Sequence, residues 1–234
     1  MLSPEEWSAL QLSFQIGLCA VAASLPVAVA VGYGLARGTT TTRWHMRALH
    51  WCAQVLVDMP LVLPPVVTGY LLLGCLGPRG PVGRLFDEWF GVRLVFTWRA
   101  AAVAAAVVSF PLMVRSIRLA FQGVDRRLEL AARGLGAGRI DAFFSISLPL
   151  ARRGIVAGCV LAFARGLGEF GATIMVLGTL EDQQTIPLAI YSLVGQPGGV
   201  ERCWRLVVLS IVLACGALAV SEFLERKQSL RESA

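Results

Sequence analysis

Apolar residues fall in five long runs, roughly residues 10–36, 48–76, 100–121, 155–177 and 206–224. Each is near the ~20 residues a helix needs to cross the hydrocarbon core of a bilayer. Backbone polar groups in lipid must pair within the segment, so all five are predicted to be helices. The pattern predicts an all-α integral membrane protein with about five spans, forming one body over residues 1–234. At the start, Ser3-Pro4-Glu5-Glu6 offers an N-cap serine, a proline at the first helical position and a glutamate three residues after the serine. Within the second run, Pro60, Pro64 and Pro65 predict a kinked or broken helix. Residues 77–99 predict a short interfacial helix around Leu85, Phe86, Trp89 and Phe90, whose aromatic rings suit the membrane–water boundary. Residues 122–153 predict a helix, a glycine break, a second amphipathic helix, and a proline at 149 opening the next span. A further apolar stretch, residues 186–194, is too short to cross and predicts a surface or re-entrant helix.

Composition sharpens this picture. Hydrophobic residues make up 56% and charged residues 15%, with a mean hydropathy of +0.68. Both fractions lie outside the range of ordinary soluble domains, and the apolar content excludes a disordered chain. The net charge of +6 would point to nucleic acid in a soluble protein, but here position explains it. Of the 21 basic residues, 14 fall between Arg37 and Arg47, between Arg115 and Arg153, or between Arg226 and Arg231. Six lie in the alternate segments and Arg165 lies inside a span. The positive-inside bias then puts the N-terminus outside and the C-terminus in the cytoplasm, with lipid rather than nucleic acid as the surrounding partner. No basic residue precedes Arg37, which is unlike a cleavable signal peptide. Lys227, in the tail, is the sole lysine, so no Gly-rich loop carries the lysine a P-loop requires. Six dispersed cysteines form neither a disulfide framework nor a zinc spacing, and His45 and His50 read as solvated boundary residues. No metal or cofactor is expected. H-E-x-x-H and G-x-S-x-G are both absent, which weakens a hydrolase reading.

Two constellations could carry function. In the 122–153 segment, Phe143, Phe144, Ile146 and Leu148 give an apolar surface beside Arg139, Arg152 and Arg153. Two readings stay open on these residues: docking into a partner's groove, or lying on anionic lipid. Inside the fourth run, Arg165 lies about ten residues from the cytoplasmic edge, ~15 Å at a helical rise. Charge at that depth costs several kcal/mol and faces a partner or a wet cavity. Glu169 is one helical turn on, and Asp58, comparably deep in the second run, is an alternative partner. The set can clamp helices together, line an anion path, or do both. Gly166, Gly168 and Gly171 match G-x-G-x-x-G in form, but no strand precedes them, and close helix approach is the better explanation.

The spacing in the first constellation closely resembles the EAA loop of ABC importer permeases. Ala131, Ala132, Gly136, Ile146, Leu148 and Pro149 fall in register with that pattern, whereas Leu130 occupies the glutamate position and Glu129 precedes it. The stretch from Arg165 through Gly168, Glu169 and Gly171 to Thr173 resembles molybdate permeases and their sulfate relatives, as do Asp58 through Gly69 and Pro187 through Tyr191. The resemblance spans roughly residues 14–224. It implies a type I ABC importer permease fold, with Glu129, Ala131, Ala132, Gly136, Ile146, Leu148 and Pro149 in a coupling helix gripped by an ATPase. It further implies a homodimer working with two ATPase subunits and an external oxyanion-binding protein. Molybdate is the expected cargo, ahead of tungstate, sulfate or thiosulfate; ATP would be bound and hydrolysed by the partner, not by this chain. A membrane enzyme with chemistry in the Arg-rich loop is the rival from another class, although no nucleophile–base set is evident.

Overall fold

The computed structural model describes residues 3–38, 44–178 and 184–232, with side chains as far as Phe223. Arg43 and the side chains of Arg226, Lys227 and Arg231, used above for orientation, lie outside that description. Every regular element among the described residues is helical. Four helices are long and apolar enough to cross a membrane: α1 (Pro4–Arg37), α5 (Trp98–Gln122), the rod ending in α8 (Leu148–Leu167), and α11 (Gly199–Glu232). A bent pair, α2 (Trp44–Val62) and α3 (Pro65–Leu76), makes a fifth crossing if counted together. Between them stand α4 (Pro81–Phe90), α6 (Arg126–Gly134), α7 (Arg139–Ala142), α9 (Gly171–Leu177) and α10 (Ile186–Val194).

Local sequence explains the termini. Ser3 and Glu6 form a reciprocal capping box, the Ser3 N–H donating to Glu6 Oε2 at 2.7 Å and the Glu6 N–H to Ser3 Oγ at 3.1 Å. The second apolar run is not one straight span. It turns by 110° at Leu63 and Pro64. A residue preceding proline is driven out of the helical region, and Pro65 then starts α3 at a position where its missing N–H costs nothing. The fourth run is also interrupted, at Gly168, Glu169 and Phe170, so α8 and α9 are separate helices.

Helix α5 is the hub. Some 61% of its most apolar window is buried inside the protein, against 11% for α11, so α11 lies at the edge. The inner faces of α5 are largely alanine: Ala100, Ala101, Ala104 and Ala105 are fully buried. Lipid gives helices no hydrophobic reason to associate, so close van der Waals approach through small residues has to hold them. Gly32 of α1 shows how close: a Cβ there would sit 2.7 Å from Ile117 Cγ2 of α5. The largest core cluster joins α1, α5 and α8 through Leu35, Met113, Val114, Ile117, Phe121 and Ala151. Its lower rim carries the first candidate site. A second cluster, with Leu76, Val108, Ala172 and Val176, packs α3, α5 and α9 around the other.

Candidate functional site

The 122–153 segment forms one folded unit. Asp125 caps α6, its carboxylate accepting from the Arg127 N–H at 2.8 Å. At the far end the Ala137 N–H donates to the Ala132 carbonyl and the Gly136 N–H to the Arg133 carbonyl, both at 3.1 Å. That is a Schellman ending, which places one residue in left-handed backbone. Gly136 is that residue, at φ +103°. The glycine in the motif is therefore a stop signal for α6.

From Arg139 the chain runs as a continuous helical rod to Leu167. Pro149 does not break it. Instead residues Phe143–Ser147 widen into a π-turn, with the Leu148 N–H reaching back to the Phe143 carbonyl. Proline cannot donate to the carbonyl four residues earlier and its ring collides with it, so a wider turn just before it removes both conflicts. Phe143 and Leu148 pack against the core, Ile146 is half-buried, and Phe144 is 61% exposed.

Glu129 and Ala132 face inward from α6, while Ala131 and its neighbour Leu130 face out. The Glu129 carboxylate takes three donors from two elements. Arg37 Nη2 of α1 donates to Oε1 at 2.5 Å, Ser147 Oγ of the π-turn donates to the same oxygen, and Tyr33 Oη of α1 donates to Oε2 at 3.4 Å. Arg37 Nη1 also donates to the Val124 carbonyl at 3.2 Å. Tyr33 packs edge-on against Phe121 and Phe143, with centroids 5.2 and 4.8 Å away. The carboxylate thus ties α6 to α1 and to the start of the α8 rod. Outside this knot, Leu135 and Ile140 stand 92% and 76% exposed beside Phe144. Arg37, Tyr33 and Ser147 escape a reading of the sequence, because they lie 92, 96 and 18 residues from Glu129 and no local period connects them. The one available signal was Tyr33 and Arg37 one turn apart at the end of the first run.

In the second constellation Arg165 pairs with Glu169, Nη1 to Oε2 at 2.8 Å, while Asp58 pairs with Arg115 at 2.9 Å. The alternative of Asp58 as the partner of Arg165 is corrected by this geometry: α5, not α8, supplies Asp58's cation. Glu169 is 3% exposed, and its other oxygen accepts the Ala172 N–H at 2.9 Å, satisfying a free donor at the start of α9. Gly171 lies against Pro65, where a Cβ would meet Pro65 Cβ at 2.7 Å, and Gly69 lies equally close to the Ala172 backbone. Thr173 is buried, whereas Gly168 is exposed, with only the Arg165 and Ala164 carbonyls, 3.9 and 4.0 Å away, near where a Cβ would stand. Glu169 therefore ties α8 to α9 across their break, and the close contacts of Gly171 with Pro65 and of Gly69 with Ala172 hold α9 against α3. Nearby, the buried Thr68 hydroxyl has no hydrogen-bond partner among the described residues.

Broken helices meeting at charged, glycine-lined breaks and a compact helical segment beside the bundle together define a transporter membrane subunit. Residues 28–227 match the family of binding-protein-dependent transport system inner membrane components, and the chain belongs to that family. It is accordingly a multi-pass inner-membrane transport component rather than an enzyme. Among its relatives, the molybdenum transport system permease protein ModB of Escherichia coli K12 is 48% identical over 227 residues, covering 97% of this chain and 96% of that protein. ModB of Haemophilus influenzae is 43% identical over 223 residues, covering 95% and 94%. Among solved structures, an inward-facing form of the MetNI methionine ABC transporter superposes with a TM-score of 0.63 at 18% identity, covering 95% of this chain and 94% of that one. A bacterial alginate ABC transporter in complex with an alginate pentasaccharide-bound periplasmic protein gives 0.66 at 18% identity, covering 95% and 77%. These two establish the type I importer permease fold.

Proposed function

We propose that this chain is the membrane-spanning pore subunit that carries molybdate into the cell, acting as a homodimer with two ATPase subunits and an external binding protein. The observation that carries this reading is the end-to-end similarity to ModB proteins, 48% over 97% of the chain. The N-terminus faces outward, and the 122–153 segment and the C-terminus face the cytoplasm, an orientation supported by the bias in the distribution of arginine. ATP is bound and hydrolysed by the partner; no bond is made or broken here.

In this reading the exposed face of Ala131 and Leu135 sits in the ATPase, and Gly136 lets the segment fold back. Glu129 works on the opposite side. Its bonds to Arg37, Tyr33 and Ser147 fasten the docked segment to α1 and α8, so that displacement by the motor reaches the spans. Ile146, Leu148 and Pro149 set the join between segment and span. At mid-membrane, Glu169, Gly171 and Thr173 shape the passage by holding its broken helices in place, with Arg165 paired to Glu169, Asp58 fixed to α5 through Arg115, and Gly168 at the break itself. The external binding protein selects the dianion.

Uptake of radiolabelled molybdate by proteoliposomes holding the full complex tests this reading. Uptake should need ATP and the binding protein, and excess sulfate should compete weakly. Equal uptake of sulfate or thiosulfate would reassign the cargo. Uptake without the ATPase would overturn the reading altogether.

A further inference from the structure

Beside the Glu129 knot lies an open groove of about 730 Å³ between α1 and the 126–144 segment. Among the described residues its walls carry Arg37, Arg126, Arg133 and Arg139 and one carboxylate, Glu129, which pairs with Arg37, while Arg126 is engaged by an interaction of its own. Its floor is apolar, with Ile140, Phe143 and Phe144 opposite Ala30 of α1. The groove does not end at Ala30. Ala23, Val27, Ala30 and Gly34 are all exposed and recur at helical spacing on one face of α1. Gly34 has nothing within 4 Å of where a Cβ would stand, so the track is open at its lower end. From Ala23 to Gly34 it climbs ~16 Å, which matches the ~15 Å depth of one leaflet's hydrocarbon.

We infer that this groove binds an anionic phospholipid, its phosphate held by Arg133 and Arg139 with Arg126 at the rim, and one acyl chain laid along Ala23, Val27, Ala30 and Gly34. Basic pockets between spanning helices on the cytoplasmic side recognise such headgroups. A bare oxyanion would gain from the arginines but nothing from the aromatic floor or the track. The inference rests on the orientation given under the proposed function, not on the cargo. Seated there, the lipid fills the space between α1 and the docked segment.

Native mass spectrometry of the detergent-purified full chain, exchanged with phosphatidylglycerol or phosphatidylcholine, reads retention directly. Phosphatidylglycerol should be retained over phosphatidylcholine, and millimolar inorganic phosphate should not displace it. Each arginine near the surface is worth about fivefold, so Arg133→Gln with Arg139→Gln should cut retention about 25-fold. Gly34→Leu, which changes no charge and meets no neighbour in the fold, should cut it as well by blocking the track. Equal retention of the two lipids, or undiminished retention in Gly34→Leu, overturns the inference, and displacement by phosphate reduces it to a small-anion site. If the double variant does not fold, Gly34→Leu decides alone. Molybdate uptake by the wild-type complex is read separately, so loss of the lipid site and loss of the transport reading give different results.

Discussion

Removing the Glu129 carboxylate should both weaken the fold and uncouple the transporter. Arg37 and Glu129 have side chains only 16% and 12% exposed. Breaking a buried ion pair by deleting one member costs about 3–5 kcal/mol, because the remaining charge stays desolvated. Residual water contact lowers that to about 2–3 kcal/mol here. Ser147 is fully buried, and its hydroxyl would lose its acceptor, adding about 1 kcal/mol. Glu129→Ala should therefore cost about 3–4 kcal/mol, read from denaturation of the purified chain in graded SDS. Arg37→Met should cost less, because Glu129 keeps its bonds from Ser147 and Tyr33. Arg37→Met with Glu129→Met, which leaves no stranded charge, should fall short of the summed single effects by about 1–3 kcal/mol. In proteoliposomes the double variant should hydrolyse ATP yet import less molybdate per ATP, since the docked segment is no longer fastened to α1. Energies adding to within about 0.5 kcal/mol, together with an unchanged ratio of uptake to hydrolysis, would refute the fastening role.

Other consequences are as specific. Glu169→Ala should strand Arg165 and free the Ala172 N–H, costing about 3 kcal/mol in the same denaturation assay, while Glu169→Gln, which keeps an acceptor, should cost markedly less. Gly136→Val puts a β-branched residue at φ +103° and should lower stability by about 1–2 kcal/mol and reduce ATPase capture in pull-down. Gly69→Val drives a side chain into the Ala172 backbone, where even a Cβ would stand at 2.8 Å, and should abolish transport while chain yield falls only partly. Pro149→Ala removes the need for the π-turn; a cysteine at Leu135, on the docked segment, should then change its crosslinking partners on the ATPase.

How much of this was legible varied by element. The capping box at Ser3 and Glu6, α4 with its exposed aromatic face and the short α10 follow from local pattern, because propensity, capping and periodicity act over a few residues. The same holds for Gly136, whose position after Ala131 and Ala132 marked a break and whose backbone supplies one. Pro149 opens its span as expected, in the first turn of α8, but the π-turn that joins α8 to the preceding helix into one rod has no local signal in the sequence. Asp58 shows the limit from the other side: depth alone made it a fit partner for Arg165, and only the packing of α2 on α5 gives it to Arg115.

The sequence by itself determined a membrane protein of about five apolar helices and a motif that marks an importer permease. Those properties depend on composition and on spacing over short distances. Only the tertiary structure decided which charges meet, that the Glu129 carboxylate turns inward to α1 instead of outward to a partner, and that two broken helices lock at Gly69 and Gly171. Such contacts join residues tens of positions apart, and their geometry is set by how closely alanine and glycine let whole helices approach.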